Sequence, residues 1–281
     1  MGAPWLERVT DSPAWPNDEV RLMEAVESAR SALGRLSEAC RAHHQHSAET
    51  PRDDRAREVS REGSRLSRAR DPMGRVAAAA SMRAARASAA LSGAPLVLDP
   101  RASSVTDPVL AGAVRVAAAL SGAVGTWRRA PRQVLARLHT LAAADLAGSD
   151  ELGRPRLDAE RPDLRSGRLA ALSDLVVRST WPAPVVVAIV HGELLTMAPF
   201  GSADGVVGRA AARLTMITRG LDHAELALPE VAHLRSAGQY RSGLDGYAGG
   251  GAAGVDAWVV QECLALSRGA AEGSALAAAY R

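Results

Sequence analysis

The chain has 281 residues, 47% of them hydrophobic, which is enough to bury a sizeable core as one domain or a domain with an extension. Its formal charge is +3, from 34 basic residues that are all arginine and 31 acids, and its aromatic content is 3%. That near balance excludes a dedicated nucleic-acid binder, which concentrates positive charge on one face and adds aromatic stacking groups, while GC-rich codon usage accounts for the absent lysine.

Two cysteines, Cys40 and Cys263, are too few for a disulfide framework and lack metal-ligand spacing, so the expectation is a reducing, cytoplasmic setting with no metal site. Alanine is abundant and β-branched residues run in short stretches, which predicts an all-α fold. The start, Met1-Gly2-Ala3-Pro4-Trp5-Leu6-Glu7-Arg8, has no apolar core of a secretory signal.

Asn17 can cap a first helix that runs to about Gln45, with Val20, Met23, Val26, Ala29, Leu33 and Leu36 at helical spacing. His43, His44 and His46 near its end read as a solvated helix terminus rather than a metal site. Residues 47 to 72 mix Arg52, Asp53, Asp54, Arg55, Arg57, Glu58, Arg61 and Glu62 with little to bury. They read as an exposed helix or linker, dividing an N-terminal helical extension (1–72) from a main helical domain (73–281).

An alanine-rich helix follows from Met73 and stops at Ser92-Gly93-Ala94-Pro95. Helices are expected at 107–122 and 131–146, separated by a turn at Gly125-Thr126-Trp127. Residues 147 to 166, with Gly153-Arg154-Pro155-Arg156, read as a short β-hairpin or an irregular loop. Further helices are expected at 166–178, 183–197, 204–219, 229–247 and 254–279. The longest apolar stretch, Trp181 to Met197, carries His191 and Glu193 and falls short of the roughly 20 residues that span a bilayer, so no membrane partner is expected. His191 reads as a core imidazole. Gly249-Gly250-Gly251-Ala252-Ala253-Gly254 matches a dinucleotide fingerprint in form, but without a preceding strand it reads as a connector.

The chemistry concentrates in the loop Ala198-Pro199-Phe200-Gly201-Ser202-Ala203-Asp204-Gly205 between two apolar helices. Its glycines permit unusual backbone conformations, and the helix starting near Asp204 offers unpaired amides and the positive end of its dipole, a combination that can hold a phosphate. A plain tight connection is the competing reading. For Asp204 the two readings are a first-turn acid favoured by the helix dipole and a metal or phosphate-site carboxylate.

Ala198 to Arg209 aligns without gaps to the signature His-Pro-Phe-x-(Asp or Glu)-Gly-Asn-Gly-Arg-x-x-Arg, and the chain resembles the Fic (Fido) family from about Met73 onward. The flanking run Val190-His191-Gly192-Glu193-Leu194-Leu195, and downstream Tyr240-Arg241-Ser242-Gly243-Leu244 and Trp258, resemble the family's neighbouring helices. The resemblance implies a nucleotidyl-transfer ancestry in which the motif histidine is the base, the acid holds magnesium and the first arginine binds the outer phosphates. Those positions are Ala198, Ser202 and Val206 here, with Ala203 for the first glycine and Asp204 for the asparagine. Arg209 remains as a phosphate partner. Ser88-Ala89-Ala90-Leu91-Ser92-Gly93 has the spacing of the family's inhibitory helix, with Ser92 where a glutamate pairs the second arginine.

The resemblance therefore implies a degenerate Fic domain that serves as a binding or regulatory scaffold, for a protein partner or a nucleotide held by Phe200, Gly201, Asp204, Gly205 and Arg209. The alternatives are a divergent transferase moving AMP or another phosphate-containing group onto a protein hydroxyl, with magnesium and ATP, and a helical interaction protein with no ligand in the cleft.

Overall fold

The structure, a computed structural model, describes residues 20–48, 72–96, 106–156 and 162–280. The capping residue Asn17, the mixed-charge segment 49–71 and the side chains of His43, His44 and His46 lie outside that description. Among the described residues the secondary structure is all helix: α1 (Val20–Ala48), α2 (Pro72–Leu91), α3 (Pro108–Trp127), α4 (Pro131–Ala142), α5 (Pro162–Arg178), α6 (Ala183–Met197), α7 (Asp204–Thr218), α8 (Pro229–Arg235), α9 (Ala237–Gly249) and α10 (Ala252–Ala278).

Proline sets many of the boundaries, because its missing N–H costs nothing at a helix start: Pro72, Pro108, Pro131, Pro162 and Pro229 each open one. The Asp107 carboxylate completes the start of α3 by accepting from the Leu110 amide at 2.8 Å. The Gly125-Thr126-Trp127 segment lies inside α3, and the turn falls at 128–130 instead, because Trp127 is fully buried and its indole donates to Thr215. The helix expected over 229–247 breaks at Ser236 into α8 and α9. Residues 147–156 form turns rather than the strand of a hairpin, 157–161 are outside the described residues, and α5 begins at Pro162.

The middle of the fold is α6, buried on every side from Pro184 to Leu194, as a helix apolar all round must be. It packs against α7, α10 and α9, and the indole of Trp258 on α10 donates to the Ala188 carbonyl at 2.8 Å. Along α10 runs α1, which buries Leu22, Val26, Ala29, Leu33, Leu36 and Cys40, while Val20 and Met23 face solvent. The α3 helix is long and apolar enough to cross a membrane by length and composition; in this fold it packs between α2, α4 and α7 and buries Leu110, Val116, Leu120 and Trp127.

Candidate functional site

The α6–α7 hinge makes a loop with an unusual backbone. Ala198 ends α6 in the left-handed region (φ 41°), Gly201 is at φ 76° and Ala203 precedes α7 at φ 52°. An alanine in that region is strained, so the surrounding contacts must hold it there. The chief of these is Asp204. Its carboxylate turns back into the loop and accepts from the Phe200 amide at 2.9 Å and the Gly201 amide at 2.6 Å. This internal anion takes two of the amides that an outside anion would use. Burial pushes the Asp204 carboxyl up from its ordinary value, against the pull of the two amides and of Arg156 and Arg165.

Phe200 faces inward and stacks on the His139 ring, with centroids 4.3 Å apart and planes 6° from parallel. The Gly153 amide donates to His139 Nδ1 at 2.9 Å, so Nε2 carries the proton and donates to the Ser202 hydroxyl at 3.0 Å. Burial lowers the His139 pKa and keeps this ring neutral. From the same side, the Arg156 amide donates to the Pro199 carbonyl at 2.8 Å. Its guanidinium lies over Gly201, where a Cβ would meet it at 1.9 Å. The segment after α4 is thereby fastened across the loop.

A cleft of about 410 Å³ opens beside the loop. Ser202 to Gly205 form one wall, Leu91, Ser92 and Arg209 another, and Tyr240, Arg241 and Leu244 of α9 a third. Arg209 is buried, and four bonds hold its guanidinium: Nε donates to the Ser88 hydroxyl at 2.9 Å, Nη2 to the Ser88 carbonyl at 2.7 Å and to the Ser92 hydroxyl, and Nη1 to the Tyr240 hydroxyl at 3.3 Å. The C-terminal turn of α2 thus holds the arginine with neutral groups. Gly205 permits that close approach, since a Cβ there would meet Ser92 Oγ at 2.8 Å and Arg209 Nη2 at 3.0 Å.

The structure therefore brings Ser92, Gly201, Ser202, Asp204, Gly205 and Arg209 around one opening, with Ser88 buried behind Arg209, and it keeps Phe200 and Val206 out of it. Val206 is buried toward α2 and α3. Ala198 closes α6 with no titratable group. A magnesium ion, which the resemblance implies through an acid at position 202, does not fit these residues: the Ser202 hydroxyl is neutral and bonded to His139, and both Asp204 oxygens hold loop amides.

Behind Arg209 the Tyr240 hydroxyl donates to His191 Nε2 at 2.9 Å, and His191 Nδ1 donates to Glu262 Oε2 at 2.8 Å. Burial lowers the His191 pKa and leaves the imidazole neutral. Burial alone would raise Glu262, but His191 and His233 reverse this and hold its carboxyl well below the usual range. Burial pushes the Tyr240 phenol up to about 12. His191 is thus committed to this chain of bonds and does not stand in for a base at Ala198. Sequence reasoning missed His139, His233 and Glu262, which reach their partners from helices far apart in sequence and leave no local spacing to detect.

No protein-family model and no curated protein matches the sequence. Among solved structures, a Fic family protein from Desulfovibrio desulfuricans G20 superposes with a TM-score of 0.64 at 19% sequence identity, covering 94% of this chain and 77% of that one. The fold built around the cleft is the Fic fold.

Proposed function

We propose that this protein keeps the cleft of a Fic domain without its reaction, and acts as a binding or regulatory scaffold for a phosphate-bearing ligand such as a nucleotide. The observation that carries this reading is the pairing of an open 410 Å³ cleft with Arg209 and the first residues of α7, Asp204 and Gly205, on its walls, where Ala198, Ser202 and Val206 hold the three catalytic positions. An anion entering the cleft meets the positive end of the α7 dipole and two arginines, Arg209 and Arg241. No group at Ala198 can remove a proton from an attacking hydroxyl. The neutral serine clasp on Arg209 suits reversible binding, because a phosphate offers the guanidinium charge-assisted bonds in exchange for hydroxyl ones. Two buried unpaired thiols, Cys40 and Cys263, suit a reducing, cytoplasmic setting.

The competing reading is a divergent transferase built on Asp204 and Arg209, and it requires Asp204 to abandon two loop amides before it can serve a metal or a proton. Incubation with label on the α-phosphate of ATP, alone and with cell lysate, separates the two. The scaffold reading expects no labelled protein; a labelled product that disappears in Asp204→Ala establishes the transferase.

A further inference from the structure

Three helices meet behind the cleft and bring His191 of α6, His233 of α8 and Glu262 of α10 into one fully buried cluster, with a donor atom from each lying within 4.8 Å of the others. We propose that these three side chains form a site for a single transition-metal ion of zinc's class, behind the cleft.

The spacing leaves one donor atom from each residue within reach of a common ion. His233 Nε2 and Glu262 Oε1 lie 2.9 Å apart as an ion pair whose direction does not suit a hydrogen bond. An ion or a water between buried polar groups in that geometry would satisfy both. Beside the three residues is a void of about 10 Å³, near the volume that holds one water, which can supply the fourth position of a tetrahedral shell.

Two imidazoles and a carboxylate are a recognised donor set for zinc. Glu262 meets the two imidazoles through different oxygens, Oε2 toward His191 Nδ1 at 2.8 Å and Oε1 toward His233 Nε2 at 2.9 Å; bonds of about 2.0–2.1 Å set tetrahedral donors roughly 3.3 Å apart, so the carboxylate must turn one oxygen to the ion and the imidazoles must draw back slightly as it enters. His191 then binds through Nδ1 and donates from Nε2 to Tyr240, the outer hydrogen bond that fixes a metal-bound imidazole. Arg209 and Arg213 line the same void and oppose a cation. Glu230 offsets Arg213 through two bonds of 3.0 Å, and the Glu262 charge lies within the site itself, so the ion enters a surrounding close to neutral.

The test is to unfold the full chain with a chelator, refold it with cobalt(II) or zinc(II), remove free metal by gel filtration and count the ion that remains. The proposal expects one ion per chain, the intense visible bands of tetrahedral cobalt and a higher Tm, all lost in His233→Gln and in Glu262→Gln at unchanged helix content. Retention of the ion by both folded variants overturns it. Should the variants fail to fold, the wild type decides: a chain refolded in cobalt that carries no ion, or carries it without tetrahedral bands, overturns the proposal.

Discussion

Replacing Asp204 with asparagine is expected to move stability and anion binding in opposite directions. The carboxylate accepts two loop amides, from Phe200 at 2.9 Å and Gly201 at 2.6 Å. An asparagine offers one oxygen and one NH2, so one of those amides would face a donor. Losing one charge-assisted bond costs about 2 kcal/mol. For a chain of this size that is a fall of roughly 5 °C in Tm, readable by circular dichroism. The same substitution removes a negative charge from the cleft wall. A unit charge about 4 Å from a phosphate is worth about 1 kcal/mol in water and about 4 kcal/mol at an effective dielectric of 20. Asp204 is half-buried, so the lower figure is the safer one, and inorganic phosphate or ATP should bind about fivefold tighter by calorimetry. A variant as stable as wild type would refute the internal-anion role of Asp204. One that binds anions no better would refute the placement of ligand phosphate beside the loop.

Three further outcomes follow from the same contacts. Ser92→Glu puts a carboxylate against Arg209 in place of a hydroxyl, and should raise stability by about 1 kcal/mol while weakening nucleotide binding about tenfold in calorimetry; unchanged affinity would remove Arg209 from the ligand site. On acidification, His191 (folded pKa lowered) and Glu262 (folded pKa depressed) act together. Their stabilisation is complete above the unfolded histidine value of about 6.5, and is lost as the pH falls through that value and then through the carboxylate range; in Glu262→Gln chemical denaturation should still show the fall through the histidine range, because Glu262 raises the His191 pKa, and a flatter profile only in the carboxylate range. Ala198→His alone should restore no labelling of protein by nucleotide, because Ser202 and Val206 stay as they are; restored labelling would contradict the vacancies assigned to them.

The helical class and most helix starts were legible because proline punctuation and alanine content are local signals. The loop was legible because its residues are contiguous, from Ala198 to Arg209. Where the reading fell short, the deciding contact came from elsewhere in the chain. Trp127 extends α3 through an expected turn because it is buried against Thr215, and Ser236 breaks a helix whose apolar spacing continues past it. Phe200 looked like a cleft residue and is instead stacked on His139, whose place beside it depends on how α4 packs. Asp204 reads as a first-turn acid, and it is one; that it turns backward to Phe200 and Gly201 depends on the left-handed residues at 198 and 203, two alanines whose strain no propensity scale announces.

The most direct test of the retained cleft is calorimetric titration of ATP into the wild-type chain and into Arg209→Ala, in the presence of EDTA. Saturable binding at a single site in wild type, independent of magnesium and abolished in the variant, is the expected result. An absence of binding by wild type, or equal binding by the variant, would contradict a cleft that holds phosphate through Arg209.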